Sequence, residues 1–182
     1  VDGKYSNTRH PDNVLYTPSI LEDLERRDFT INAIACNIVT GEVLDPQMGI
    51  SDLNARIIKA IGNPYARFSE DGLRLLRACR FTAQLNFSLE EETKKAMFDC
   101  RMGITSISAE RVRDEITKSL LSDTPSRAFN AMFETGLLDL ILPELYETVG
   151  HPQDGPPGFD LFKHLLLSCN GAPKNNIPVR LA

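Results

Sequence analysis

The chain has 182 residues, of which 42% are hydrophobic and 25% are charged, so its composition excludes a disordered or collagen-like protein and fits a globular one. Its net charge is −5, whereas a domain whose whole surface binds nucleic acid is usually basic, so any contact with nucleic acid needs a local patch. No apolar run approaches the ~18 residues that cross a bilayer, which excludes a membrane span.

The four cysteines form no C-x-x-C pair, and we therefore expect buried free thiols in a reducing cytoplasm rather than a zinc site or disulfides. The chain opens without Met and its apolar pattern stops abruptly at the carboxyl end. We expect it to be part of a longer protein.

The first 62 residues indicate a mixture of strands and helices. Residues 1–19 are rich in turn formers, and Ser19 precedes a predicted short helix, "ILEDLERRD". The next segment, "FTINAIACNIV", is compatible with a helix or a buried strand, because a short apolar run shows no period of its own. A turn, a short strand and a loop follow, and Ser51 is predicted to cap another helix.

After Gly62 the pattern predicts helices only. The predicted starts are Ser69, Ser88 with a capping-box Glu91, Ser108, and Thr124 followed by proline. Three prolines and three glycines between residues 149 and 158 predict a loop before a last helix, "FDLFKHLLLSCN". The sequence thus predicts an α+β region followed by an all-α one.

A row of charges on the helix predicted after Ser69 is the first candidate site. Asp71 and Arg74 are three residues apart and so are expected on one face, and Arg77 and Arg80 continue the row. One interpretation is an ordinary exposed Asp–Arg ion pair, which stabilises a helix by a few tenths of a kcal/mol. The other is a ligand site, because three arginines behind one aspartate would leave cations that suit a nucleotide phosphate.

The Asp71–Arg74 pair also has the chemistry to recognise a base. A carboxylate only accepts hydrogen bonds and a guanidinium only donates them. Cytosine and adenine both present an amino donor beside a ring-nitrogen acceptor, whereas guanine and uracil present the inverse. One rigid pair could accept C and A and reject G and U, since a wrong base would leave buried polar groups unpaired.

A second cluster of charge lies in "LEDLERRDFTINA". Arg26, Arg27 and Asp28 are consecutive, which is compatible with a solvated charge run beside an apolar segment. The functional interpretation has Arg27 holding a triphosphate, Asp28 bonding a ribose hydroxyl, and Asn32 as a further polar anchor.

Four ordered motifs resemble the bacterial class II tRNA nucleotidyltransferases (CCA-adding enzymes) and the related bacterial poly(A) polymerases. They are an RRDFT motif at Arg26–Thr30, a D-x-x-x-G-x-x-D-L segment at Asp45–Leu53, an EDxxR motif at Glu70, Asp71 and Arg74, and an E-R-x-x-x-E motif at Glu110, Arg111 and Glu115. Each motif alone is weak, but together they cover about residues 20–145 in the family's order.

The resemblance implies a role for each matching residue. Asp71 and Arg74 would form a protein template for the incoming C or A, Asp28 would contact ribose, and the Asp45–Leu53 loop would be the flexible element that reshapes the pocket. Glu110 and Arg111 would brace the neck helices. The nucleotide pocket would be completed by Arg27, Arg77 and Arg80.

The resemblance also implies substrates and a cofactor. The reaction would transfer CMP and AMP from CTP and ATP to the tRNA 3′ end in the cytoplasm, with Mg²⁺. The family holds its metal ions with an Asp-x-Asp pair that lies upstream of the motifs found here, and no Asp-x-Asp occurs in these 182 residues, so we assign no catalytic residue and expect this chain alone to be inactive. The family also usually has proline where this chain has Gly72, which leaves Asp71 less rigidly held.

The expected fold class is α+β: the remnant of a polymerase-β-like nucleotidyltransferase head (1–62), an all-helical neck (63–147), and a linker with the start of a helical body (148–182). His164 sits where many relatives place the first histidine of an HD-type metal site, but a helix histidine beside "LLL" is more often a packing residue. Three alternatives stay open: a poly(A) polymerase or an A-adding or CC-adding relative, a non-catalytic RNA- or nucleotide-binding helical module, and an HD-type phosphohydrolase.

Overall fold

A computed structural model describes residues 19–156 and 158–181. The predictions for residues 1–18 lie outside the described residues. In the described chain the α-helices are α1 (Ile20–Glu25), α2 (Gly49–Ala55), α3 (Pro64–Glu70), α4 (Leu73–Leu85), α5 (Glu91–Asp99), α6 (Ala109–Leu120), α7 (Ser126–Glu134), α8 (Leu138–Ile141), α9 (Pro143–Tyr146), α10 (Leu161–Gly171) and α11 (Ile177–Leu181). The strands are β1 (Ala35–Cys36), β2 (Val43–Leu44), β3 (Ile57–Ile58) and β4 (Ser88–Leu89), with 3₁₀ helices at Thr30–Asn32 and Arg101–Ser106.

The amino-terminal part is mixed, as predicted. The segment that sequence left ambiguous becomes a 3₁₀ turn and then β1, which pairs antiparallel with β2. A small buried cluster of Leu24, Ala33 and Ile61 holds α1 against this hairpin. Phe29 is fully buried and belongs instead to the main core, so the chain crosses from one cluster to the other directly after Asp28.

The prediction of helices only after residue 62 is wrong at Ser88. This residue lies in β4, which pairs in parallel with β3, and it donates its backbone N–H to Arg56 O. Glu90 rather than Ser88 caps α5, because its carboxylate accepts the Thr93 N–H at 2.7 Å. A two-residue strand carries no readable alternation, and the Ser88–Glu91 spacing imitates a capping box.

The predicted helix start at Ser69 is also wrong. Ser69 lies inside α3 and its hydroxyl donates back to Tyr65 O at 2.8 Å, while the cap of α3 is Asn63. The chain becomes extended at Asp71, whose Oδ1 accepts the Leu73 N–H at the start of α4. The break between α3 and α4 therefore places Asp71 at a corner, outside the helix on which Arg74 lies.

Another cap differs from its prediction in the Asp45–Leu53 segment. Ser51 is inside α2, whose first turn is capped by Asp45: Oδ1 accepts the Gly49 N–H at 2.7 Å and Oδ2 accepts the Ile50 N–H at 2.9 Å. The predicted starts after Ser19 and Ser108 agree with α1 and α6.

The main core lies where α4 packs between α6 and α7. The buried positions of α4 recur every three or four residues, as an amphipathic helix requires, and each fully buried leucine contributes about 1.5–3 kcal/mol to folding. Phe162 and Leu166 of α10 join the same core. The cysteines are only partly as expected, because Cys79 and Cys169 are buried, Cys100 is half-buried and Cys36 is exposed.

The last helices carry the proposed metal histidine. His164 is exposed on α10, and its ring packs edge-on against Phe159 with the ring centroids 6.2 Å apart. Within residues 19–156 and 158–181, no group of three His, Cys, Asp or Glu side chains is placed to hold a metal ion. No helix in this part of the chain has the length and apolar character that a membrane span needs.

Candidate functional site

An open cavity of about 460 Å³ lies between the carboxyl end of α1, the first turns of α4 and the start of α6. It brings together five of the predicted site residues, namely Arg27, Asp28, Asp71, Arg74 and Arg77. Sequence reasoning also named Asn32 as an anchor, and it lines the cavity too. Five arginines and two aspartates line the cavity, and two carboxylates outside it, Asp23 and Glu70, pair with three of the arginines. The wall therefore keeps a small excess of positive charge, which suits an anionic ligand.

Asp28 is the buried anchor of this wall. Its Oδ1 accepts hydrogen bonds from the Phe29 N–H and the Asn32 side-chain amide, both at 2.9 Å. Its Oδ2 receives Arg77 through Nε at 2.7 Å and Nη2 at 2.6 Å. A carboxylate with all its acceptor sites engaged is rigid, and Asp28 therefore fixes the Arg77 guanidinium toward the cavity.

Arg26 and Arg27 share one carboxylate that lies outside the cavity. Asp23 accepts Arg26 on Oδ1 and Arg27 on Oδ2, the closest approaches being 2.7 and 3.0 Å. These hydrogen bonds, first from Arg26 and then from Arg27, hold the pKa of Asp23 below its ordinary value. Sequence reasoning did not assign Asp23, although its spacing of three and four residues from the two arginines is the usual signal of helical ion pairs.

Asp71 and Arg74 border the same cavity, but they are not the ion pair that one interpretation of the sequence predicted. The partner of Arg74 is Glu70, at 2.6 Å, and its guanidinium also donates to the backbone carbonyls of Arg67 and Arg26. Asp71 Oδ2 instead accepts Arg111 Nη2 at 3.0 Å. The two side chains thus offer an acceptor and a donor to the cavity, each held by other residues.

Arg80 is not part of the cavity, contrary to the sequence-based assignment. Its side chain is buried between α4 and α6, with Nε 2.9 Å from Glu115 Oε2 and the guanidinium stacked on Phe81 at 4.5 Å. Since a step of three residues turns an α-helix by about 300°, a row at this spacing drifts by about 60° per step. Arg80 therefore faces away from the side that carries Arg74. The expected surplus of free cations on this row is also wrong, because Arg74, Arg77 and Arg80 each have a carboxylate partner.

The residues of the E-R-x-x-x-E motif have two different roles in the structure. Arg111 was expected to brace helices, yet it lines the cavity and holds Asp71. Glu110 is exposed, whereas Glu115 forms the brace that links α6 to α4 through Arg80. Arg111 reaches Asp71 across 40 residues, a separation that no local pattern reports.

The Asp45–Leu53 segment, expected to be a flexible loop, is helical from Gly49 onward because α2 begins there. Thr30 Oγ1 donates to Asp52 Oδ2 at 2.6 Å, and a Cβ on Gly49 would lie 2.1 Å from Thr30 O, so α2 sits directly against the turn that follows Asp28. Reshaping of the pocket by this segment stays a prediction.

The residues described do not fit a Mg²⁺ site. Proteins usually bind Mg²⁺ through one or two carboxylates with free oxygens, but in this cavity Asp28 is fully engaged and Asp71 is held by Arg111 and a backbone N–H.

Two family descriptions match the sequence. Residues 1–59 match "Poly A polymerase head domain", and residues 86–148 match "Probable RNA and SrmB- binding site of polymerase A". Among curated proteins, the CCA-adding enzyme of Anoxybacillus flavithermus is 45% identical over 144 residues, which are 79% of this chain and 36% of that protein. The CCA-adding enzyme of Geobacillus sp. strain WCH70 is 46% identical over 144 residues, with 79% and 35% covered.

Solved structures give the same result. The Bacillus stearothermophilus CCA-adding enzyme in complex with CTP superposes with a TM-score of 0.65 at 40% identity, over 67% of this chain and 31% of that one. A tRNA nucleotidyltransferase with a primer tRNA and an incoming ATP analog gives a TM-score of 0.65 at 26% identity, over 85% and 50%. The chain spans about a third of the length of the curated relatives it matches.

Proposed function

We propose that the protein adds C and A to the 3′ end of tRNA from CTP and ATP, without a nucleic-acid template, in the cytoplasm. The proposal draws on the similarity of 79% of this chain to a CCA-adding enzyme at 45% identity, and on the match of residues 1–59 to a poly A polymerase head domain. The observation that carries the proposal is the placement of Asp71 and Arg74 in one cavity with Arg27 and Arg77. A base-reading pair and phosphate-binding arginines are thereby within reach of a single nucleotide.

Asp71 and Arg74 are proposed to read the base. The Asp71 carboxylate accepts the amino group of cytosine or adenine, and the Arg74 guanidinium donates to the adjacent ring nitrogen. Both groups are already fixed, Asp71 by Arg111 and Arg74 by Glu70, so little side-chain freedom is lost when a base binds. Guanine or uracil would place like hydrogen-bonding groups against each other and leave them unpaired.

The arginines of the cavity are proposed to hold the triphosphate. Arg27 lies at the open rim and Arg77 lies deeper, and a guanidinium donates two parallel hydrogen bonds to phosphate oxygens. Arg80 is not proposed to hold the triphosphate, because it is buried against Glu115 and does not line the cavity. A ribose hydroxyl could reach Asp28 only by replacing one of its four present hydrogen bonds, and two of its donors, Asn32 and Arg77, line the cavity.

The chemical step is proposed as attack of the tRNA 3′-hydroxyl on the α-phosphate, with pyrophosphate leaving. In such a transfer the protein chiefly positions the reactants and stabilises charge. The resemblance to the family implies Mg²⁺, which would stabilise the entering and leaving oxygens. Asp71, Arg74, Arg27 and Arg77 contribute binding and orientation of the nucleotide, and we derive no proton transfer from them.

One alternative in the same family has support of its own. The description matched by residues 1–59 is that of poly A polymerases, whose product would need ATP alone. Separate assays with CTP and with ATP, on tRNA lacking its terminal CCA, distinguish the two activities. Incorporation from ATP but not from CTP would favour the poly(A) polymerase.

The first prediction tests the reading pair in the full-length gene product. Arg74→Ala removes the donor, so we expect the preference for CTP and ATP over UTP and GTP to fall by about tenfold or more, the worth of one hydrogen bond in a shielded site. Incorporation from each of the four nucleotides would be measured as kcat/KM. Arg113→Ala is the matched control, because Arg113 is 73% exposed and pairs only with its neighbour Asp114 among the described residues. Unchanged discrimination in Arg74→Ala would contradict the proposed function.

A further inference from the structure

Arg67 has an arrangement of contacts that the nucleotide site does not explain. It lies on α3 outside the cavity, with 16% of its side chain exposed. Its Nη2 donates to Glu25 O at 3.0 Å, its Nη1 to Glu70 Oε2 at 3.1 Å, and its Nε to Ile61 O at 3.4 Å. One guanidinium thus joins α3 to the end of α1, 42 residues earlier, and to the loop that follows β3.

Arg67 and Arg74 act on neighbouring peptide groups. Arg67 holds the carbonyl of Glu25, and Arg74 Nη2 holds the next carbonyl, that of Arg26, at 3.2 Å. Both guanidinium groups also bind the same oxygen of Glu70, and Arg74 Nη1 donates to the backbone carbonyl of Arg67 at 3.0 Å. The last turn of α1 is therefore fixed to the α3–α4 corner through two side chains that are fixed to each other.

The carbonyls that Arg67 and Arg74 hold lie at the end of α1, directly before a residue of the cavity. The final carbonyls of a helix have no partner within the helix, so a planar guanidinium can orient them. The residue directly after Glu25 and Arg26 is Arg27, which supplies the proposed phosphate end of the cavity. Arg74 and Asp71, on the other side of the corner, supply the proposed base end.

We propose that Arg67 is a positioning residue for nucleotide selection, which keeps the phosphate-binding Arg27 in register with the base-reading Asp71 and Arg74. This inference rests on the proposed function. It requires the fork of an arginine, because a lysine can pair with Glu70 but presents no planar pair of donors to the Glu25 carbonyl and Glu70 together.

Positioning and simple structural support predict different binding data. Register between two subsites matters only to a ligand that occupies both, and misplacement by about 1 Å can cost up to a hundredfold. A residue that merely supports the fold would lower the melting temperature and leave the affinity of the folded protein unchanged for every ligand.

The experiment measures equilibrium binding by calorimetry to the full-length gene product, below the melting temperature of each variant. The ligands are CTP, cytidine for the base end, and inorganic tripolyphosphate for the phosphate end. In Arg67→Met we expect CTP affinity to fall about tenfold to a hundredfold, with cytidine and tripolyphosphate each within about twofold of the unchanged protein. Arg113→Met, at an exposed site on α6, is the matched control.

Arg67→Lys keeps the charge beside Glu70 and serves if the Met variant does not fold. We expect it to lose CTP affinity in the same selective way, since it lacks the fork. Equal losses for all three ligands, or CTP affinity within twofold in either variant, would overturn the positioning role while leaving the proposed function intact. If the unchanged protein shows no preference for CTP and ATP over UTP and GTP, the proposed function fails and the positioning role fails with it.

Discussion

Arg80 and Glu115 face each other between α4 and α6, where both side chains are at least 90% buried. Glu115 Oε2 lies 2.9 Å from Arg80 Nε but forms no aligned hydrogen bond there, while Lys118 donates to Oε1 at 2.8 Å. Burial of a charge is unfavourable unless it is paired, so each member of this pair depends on the other. The pair links α4 to α6 behind the cavity, and neither residue lines it.

The second prediction separates stability from binding at this pair. Arg80→Met should lower the free energy of unfolding by about 3 kcal/mol, because it leaves Glu115 buried with only Lys118 as a charged partner. Urea unfolding would measure this loss, and the affinity of the folded variant for CTP should stay within about twofold. Arg113→Met, on the exposed face, should change stability by less than about 0.5 kcal/mol. A weakened affinity for CTP with unchanged stability would return Arg80 to the nucleotide site.

The third prediction concerns the thiols. Burial raises the pKa of Cys79 to about 12, whereas Cys36 is exposed. At pH 8 a thiol-specific reagent should label Cys36 in the folded chain and reach Cys79 only after denaturation, since the thiolate is the reactive form.

The same pKa shift predicts how stability depends on pH. The unfolded thiol releases its proton near 9 and the folded one only near 12, so the stabilising contribution is complete below pH 9 and is lost as the pH rises toward 12. If the thiol reagent labelled Cys79 as fast as Cys36 in the absence of denaturant, the buried position of Cys79 would be contradicted.

At the scale of elements, the corner between α3 and α4 depends on a close approach of two backbones. A Cβ on Gly72 would lie 2.5 Å from Gly103 O and 2.7 Å from its carbonyl carbon, so no side chain fits without a shift of the 3₁₀ helix. The family's usual proline would meet the same atoms. The corner that carries Asp71 therefore depends on a close contact between Gly72 and Gly103.

The fourth prediction tests that contact. Gly72→Ala should destabilise the chain by about 1–3 kcal/mol, the usual range for overpacking, although alanine is otherwise the better helix former. The matched control is Gly171→Ala at the end of α10, where a Cβ meets nothing within 4 Å and stability should stay equal or rise slightly. Thermal unfolding of both variants is the measurement, and equal melting temperatures would contradict the close approach at the corner.

The elements that the sequence predicts correctly are those whose pattern lies within a short stretch of chain. Helices with a regular apolar face, such as α6 after Ser108, are visible in a local window. The strand β4 and the true caps Asp45 and Glu90 are not, because short polar stretches offer several capping patterns and only tertiary pairing selects one.

The candidate site likewise contains residues that the sequence predicts and residues that it does not. Asp71, Arg74 and Asp28 lie in motifs with fixed spacing, and they are brought to one cavity as expected. Arg111 and Arg67 act across 40 and 42 residues, so their contacts could not be inferred from spacing. The spacing also misplaces Arg80, because residues three apart do not stay on one straight face of an α-helix.

At the scale of the whole molecule, Arg180 connects the last helices to the neck. It is buried, and its Nη1 donates to Leu120 O and to Ser122 O, while Nε and Nη2 donate to Ala172 O at 3.2 and 3.1 Å. A single side chain thus satisfies the carboxyl end of α6 and that of α10 together. Exposed Lys174 joins the same two regions through Asp123, but only at the surface.

The fifth prediction compares these two connections. Arg180→Met should destabilise the chain by about 2–3 kcal/mol, because buried carbonyls lose a charged donor, and should admit proteolytic cleavage between residues 172 and 181. Lys174→Met should cost about 1 kcal/mol or less, as a solvent-exposed ion pair does. Limited proteolysis with mass analysis of the fragments would show the difference. Similar cleavage of both variants would contradict the anchoring role of Arg180.

The carboxylates that pair with the cavity arginines also affect how strongly nucleotide binding depends on salt. Arg27, Arg74 and Arg77 are already matched by Asp23, Glu70 and Asp28. A triphosphate that binds as proposed therefore meets guanidinium groups that already have a carboxylate beside them, and these hold fewer small anions than bare arginines would. Salt should then weaken nucleotide binding far less steeply than five unpaired arginines would predict, because fewer small ions are released when the nucleotide binds.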